Sequence, residues 1–303
     1  MTDFADWRKF DYDNATIQLW VFKKSSTSAK FRAWHVRTDS DIEDLFRSAI
    51  KNETSRITEH APYSPLSQPN ESSCLVHPLE SSEGLIALLD KVDSPEAESS
   101  DAELKHLKGA TGYLVKFQSG GNTVYGIRKT APSWRPTIRK SLINAVFKNG
   151  ELSATPDESF SFDQHFDFYC LNETILVSSK RAYESTMSDK KAYERSFQNL
   201  TLDPQFSDLF SDIAPLKAYV GTNAMQLRRI TVIQQKGLYL RPNFSSRLNT
   251  VSSARNWGLN FDSNNKLVVC EQTARTIMQV LLDHRLLSEI TDTTYDVPDA
   301  EAV

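Results

Sequence analysis

A chain of 303 residues with 39% apolar and 24% charged side chains can fill one large core or two modest ones, and no apolar run approaches the ~20 residues of a membrane span. Cys74, Cys170 and Cys270 stand far apart with no C-x-x-C pair, which excludes a disulfide framework and a structural zinc site. The formal net charge of −4, from 35 basic and 39 acidic residues, excludes a uniformly basic polyanion binder.

Met1 to Asp11 mixes acids, bases and aromatics and lacks the apolar middle and cleavage site of a secretory signal, so an intracellular, soluble protein is expected. Ala15 to Lys24 and Lys30 to Thr38 alternate in part and are β-rich, with a short loop between them that suits a hairpin. Asp39 and its neighbours offer an N-cap before Ile42, Leu45, Phe46 and Ile50, which follow at helical spacing. Three prolines between Ala61 and Asn70 predict a loop, and Gly84 to Lys91 a short helix. Val92 to Leu104 is polar and acidic, the composition of a linker tip.

A meander follows. Tyr113 to Phe117, Thr123 to Lys129 and Leu142 to Phe147 are strand-like, with Gly120-Gly121-Asn122 as a tight turn between the first two. Phe160 to Cys170 and Thr174 to Ser178 continue the β pattern. Then the period changes. Helices are expected over Ser179 to Asn199, around Phe206 to Phe210, over Asn223 to Gln235 with Asn223 as N-cap and Gly237 as C-cap, from Phe244 through Val251, and over Gln272 to Leu287. Strands first and helices later predict an α+β fold. An N-terminal, mostly antiparallel β-sheet with short helices would precede a mainly helical C-terminal region. The expected division is 1–103 and 104–303.

The charge is unevenly spread. Leu104 to Gly150 holds nine Lys/Arg and no acid, and Ile213 to Phe261 holds seven and no acid. Such segments repel themselves unless an anion shares them, and the default polyanion is nucleic acid. In the second window Leu227, Ile230 and Ile233 make a buried stripe, leaving Arg228, Arg229 and Lys236 outward, with Arg241 and Arg247 beyond. Arginine forks match phosphate oxygens. In the first window Arg128, Lys129, Arg135, Arg139 and Lys140 surround Trp134, an aromatic that could stack on a base. The competing reading is that acids from elsewhere fold over these windows. Asp163, His165 and Asp167 share one face of a predicted strand and are the alternative, a metal site for a nuclease. No phosphate loop, G-x-G-x-x-G, H-E-x-x-H or G-x-S-x-G occurs, so no catalytic residue, metal or cofactor is assigned.

The order of segments is itself informative. Val124-Tyr125-Gly126-Ile127-Arg128-Lys129 closes a hairpin, Phe166-Asp167-Phe168 leads into Glu173-Thr174-Ile175-Leu176-Val177, a helix opens with Ser179-Lys180-Arg181-Ala182-Tyr183-Glu184, and a basic helix runs on to Lys236-Gly237-Leu238-Tyr239. From about Lys105 to Leu287 this ordered set resembles the KwaB family, the soluble subunit of the Kiwa anti-phage defence system of bacteria. The resemblance implies a cytoplasmic, dimeric protein that binds injected phage double-stranded DNA, hinders its replication and transcription, and is recruited to the inner membrane by a membrane partner, KwaA. It supplies no catalytic motif, so the DNA-binding residues named above rest on charge. Two further classes remain open, a metal-dependent nuclease and an adaptor that meets a membrane protein without DNA.

Overall fold

The computed structural model describes residues 2–25, 31–94, 101–130, 134, 145–148, 151–154, 160–187, 189–288, 291 and 293–297. They fall into two compact units, Met1–Pro62 with Gln68–Met187, and Tyr63–Ser67 with Ser188–Val303.

The first unit contains, in chain order, α1 (Thr2–Lys9), β1 (Thr16–Lys24), β2 (Phe31–Val36), α2 (Ser40–Arg56), β3 (Glu59–Pro62), β4 (Ser73–Pro78), α3 (Glu83–Val92), α4 (Leu104–Lys108), β5 (Gly112–Ser119), β6 (Asn122–Lys129), β7 (Ala145–Lys148), β8 (Glu151–Ala154), β9 (Phe168–Leu171), β10 (Thr174–Val177) and α5 (Lys180–Met187). Eight of the strands make one sheet in the order β2-β1-β5-β6-β9-β10-β4-β3, with β7 and β8 paired apart. Every pairing in the large sheet is antiparallel except β3 with β4. The expected boundary at 103/104 runs through this sheet, because β1 and β5 are neighbours over seven residue pairs, Thr16↔Gln118 to Phe22↔Gly112.

Period-two alternation sends β1 side chains to both faces, and both are covered. Ile17, Leu19 and Val21 join Tyr113, Val115, Phe117, Val124, Tyr169 and Leu176 in a core closed by Phe4 and Trp7 of α1 and Phe46 and Ile50 of α2. On the opposite face Phe168 meets Tyr183 of α5, ring centroids 5.1 Å apart, and α3 packs on β2 and α5. Double coverage explains why β9 and β10 are nearly continuous apolar runs without alternation. Gly126 is required by packing: a Cβ there would stand 2.9 Å from the Phe166 ring. The β5–β6 turn is made by Gly120 and Gly121 at φ +57° and +81°, the left-handed pair that matches hairpin twist. Asp39 caps α2, its carboxylate accepting from Ile42 N–H at 2.9 Å.

The second unit holds α6 (Asp189–Leu202), α7 (Pro204–Ser207), α8 (Ala214–Val220), α9 (Ala224–Lys236), a 3-10 turn (Leu238–Leu240), α10 (Phe244–Ala254), β11 (Asn260–Phe261), β12 (Leu267–Val268), α11 (Glu271–Leu281), β13 (Arg285–Leu287) and β14 (Thr294–Asp296). Its core is built from Leu200, Phe206, Leu216, Leu227, Ile230, Ile233, Leu248, Ile277 and Leu281. The buried stripe read from α9 is the one observed. The fold class is therefore α+β, an N-terminal antiparallel-rich sheet with short helices and a helical C-terminal region.

Three of the predicted elements come out differently. The strand expected over Phe160 to Cys170 begins only at Phe168; residues 160–167 approach it as irregular chain ending in Asp167. The single helix expected over Ser179 to Asn199 is two, α5 and α6. The last helix stops at Leu281, because Asp283 takes φ +60° and turns His284 towards β13. The periodicity of Ile277, Val280, Leu281 and His284 continues past that break, so it concealed the stop. The predicted hairpin loop and the centre of the acidic linker, 26–30 and 95–100, lie outside the described residues.

Candidate functional site

Folding divides the cations of the two acid-free windows. In the first window β6 lies beside β9, and that neighbourhood delivers acids from far along the chain. Arg128 Nε donates to Asp163 at 3.0 Å and its Nη1 to Asp167 at 2.6 Å, with the guanidinium side chain only 16% exposed. Asp167 also accepts from Lys129 N–H at 2.8 Å, and its carbonyl receives Ser178 and Ser179 N–H, so it pins the start of β9 to the end of β10. Burial pushes the Asp167 carboxyl up, opposed by the Lys129 amide and Arg128. Burial works against the Arg128 charge, but Asp167 and Asp163 outweigh it and hold the guanidinium firmly protonated. Lys116 is paired with Asp93 at 2.9 Å and Lys105 with Glu103 at 2.8 Å. Lys129 is exposed, its Nζ donating to Ser185 Oγ at 2.9 Å.

Three expectations are corrected here. Arg128 is not an available phosphate contact, because Asp163 and Asp167 already neutralise it. The same ion pairs replace the proposed Asp163, His165 and Asp167 metal face. These residues precede the strand, and among the described residues no group of three metal-ligating side chains forms. Trp134 is not a base-stacking platform either. It is 3% exposed, donates Nε1–H to Leu107 O at 2.8 Å and stacks on Tyr113. Arg135, Arg139 and Lys140 lie outside the described residues.

The second window behaves differently. α9 is fixed at both ends: Asn223 Oδ1 accepts from Met225 and Gln226 N–H at 3.0 and 3.2 Å, and Gly237 closes the helix at φ +57° with its N–H on Ile233 O. Arg228 is half-buried and is not a free cation. Arg229 is half-buried, 3.4 Å from Gln226 Oε1, and lines a cavity with Met225, Met278 and His284. Lys236 is exposed, and its Nζ donates to Leu282 O at 2.9 Å. Arg241, Arg247 and Arg255 are exposed, and among the described residues none of them makes an ion pair.

Arg241 and Arg247 share a groove of about 210 Å³ with Phe244, Val251 and Trp257, closed by Val280 and Asp283 at the end of α11. The residues predicted as one clamp thus occupy two places. Arg229 faces one cavity, while Arg241 and Arg247 face another, with Lys236 tied to the chain next to Asp283. Trp257 and Asp283 were not singled out from sequence. Trp257 had a usable signal, since it stands two residues after Arg255 in the same acid-free window. No such signal exists for Asp283, which arrives through the turn that ends α11.

No helix among the described residues is long and apolar enough to cross a membrane. No curated protein and no solved structure matches the chain. One family model, described as Kiwa protein KwaB-like, matches residues 107–291, well over half the chain, from α4 and β5 through β13. The chain is therefore a member of the KwaB-like family of the Kiwa anti-phage defence system.

Proposed function

We propose that this chain is the DNA-binding component of its Kiwa system and that α9, the turn after it and α10 form the contact surface. The observation that carries this reading is a set of exposed arginines, Arg241, Arg247 and Arg255, with Lys236 beside them, and no ion pair to the three arginines among the described residues. Arginine recognises phosphate bidentately, and backbone contacts give affinity without sequence preference. A defence protein that must act on many phage genomes needs that selectivity profile. Arg229 extends the footprint as a secondary contact, and Lys129 of the sheet unit is a separate candidate contact. Arrest of phage replication and transcription then follows from occupancy of the duplex. Assembly as a homodimer and recruitment to the inner membrane by KwaA complete the proposal and rest on family membership.

The test is the affinity of the full chain for a duplex of arbitrary sequence, before and after Arg241→Glu with Arg247→Glu. Affinity is expected to fall at least tenfold, while the thermal midpoint stays within a few degrees because both side chains are exposed. Unchanged affinity in the folded double variant removes this surface from the account. Co-purification with KwaA, scored separately, tests the membrane arm.

A further inference from the structure

The groove that holds Arg241 and Arg247 is built for more than phosphate. A phosphate clamp needs cations alone, and a carboxylate beside it is repulsive. This groove contains Asp283 and two half-buried aromatic side chains, Phe244 and Trp257, over the buried Leu248. Its volume of about 210 Å³ is several times the ~30 Å³ share of one water, the scale of a heteroaromatic ring system and not of an ion. The lining therefore matches a ligand with three chemistries at once: anionic oxygens for the two arginines, a flat π-face for the aromatics, and an N–H donor for Asp283. A nucleotide has all three, but in a paired duplex its face is covered by stacking and its amine is engaged in pairing.

We infer that the groove takes one unstacked nucleotide at a single-stranded DNA end or gap. The base lies against Trp257 and Phe244, its exocyclic amine (for thymine, the ring imide N–H) donates to Asp283, and the flanking phosphates meet Arg241 and Arg247. This rests on the reading of the same arginines as DNA contacts and narrows the substrate to DNA with an exposed single-stranded segment. Such structures occur where a duplex is being copied or has been cut.

The experiment compares the affinity of the full chain for a blunt duplex, the same duplex with a short adenine tail, and the tail alone. The tail is expected to raise affinity about tenfold, the scale of one base–aromatic stack. Trp257→Ala should abolish the advantage and leave blunt-duplex affinity within about twofold, and Trp257→Phe should retain most of it. If Trp257→Ala fails to fold, Asp283→Gly keeps the left-handed backbone at that exposed position and should also reduce the advantage. Equal affinity of the wild type for blunt and tailed duplex overturns the inference and leaves duplex binding intact. A tail advantage that survives both Trp257→Ala and Asp283→Gly also overturns it. Trp257-dependent binding of the single strand without any duplex binding supports the groove and overturns the duplex reading.

Discussion

Arg128 and Arg247 carry the same charge in opposite settings. Arg128 sits between Asp163 and the buried Asp167, and removing its guanidinium would leave a desolvated carboxylate without a counter-ion. Breaking such a pair from one side typically costs about 3–5 kcal/mol, so Arg128→Ala should lose stability on that scale in urea denaturation. Arg247 is exposed and unpaired among the described residues, so Arg247→Ala should fall within about 0.5 kcal/mol of wild type. A large loss for Arg247→Ala would mean that the guanidinium is structural after all. This contrast also marks the limit of reading charge from sequence. An acid-free window predicts an available cation only if pairing is local. Asp163 and Asp167 stand 35 and 39 residues beyond Arg128, and the β6–β9 pairing brings them to it. Trp134 failed for the same reason, because its partner Tyr113 and the ring of Phe162 come from other segments of the sheet unit. The thiols separate in the same way. Burial pushes Cys74 and Cys170 up to about 12, whereas hydrogen bonding from Thr273 draws the partly exposed Cys270 down. At neutral pH a maleimide should label Cys270 alone in the native protein, located by peptide mass, and all three after denaturation. Early labelling of Cys74 or Cys170 would contradict the packing described for the sheet.

Among the elements, α9 positions most of the proposed contact surface, because its C-terminus launches the turn that carries Arg241. Its caps are testable. Asn223→Ala removes the acceptor for two N-terminal amides and should cost about 1 kcal/mol. Gly237→Ala forces a side chain into φ +57° and should cost about the same. If both are silent in thermal denaturation, the helix is held by packing alone. These caps were legible in sequence because capping is chemistry within a few residues. The Gly120-Gly121 turn and the Asp39 cap were legible for the same reason. α1 and α8 were not, since eight and seven residues give too few turns for a 3.6-residue period to stand out. The end of α11 was misread because the break is a backbone event at Asp283, with no glycine or proline to announce it.

At the scale of the whole molecule, the family match spans parts of both units, while β1 to β4 lie outside residues 107–291 and still belong to the same sheet as β5 and β10. The N-terminal hundred residues are therefore structural partners of the family-matched region, something that segment order could not reveal. The net charge of −4 says little about this molecule, because acids fold onto Arg128 and Lys116 of the first window, whereas among the described residues Arg241, Arg247 and Arg255 of the second make no ion pair. The central claim is that Lys236, Arg241, Arg247 and Arg255 meet phosphates. It is tested most directly by the salt dependence of duplex affinity, because each phosphate neutralised adds about −0.9 to the slope of log K against log salt. Four contacts predict a slope near −3.6 for the wild type, flattened by about 1.8 in Arg241→Glu with Arg247→Glu. A slope near zero, or one identical in the two proteins, would contradict the account.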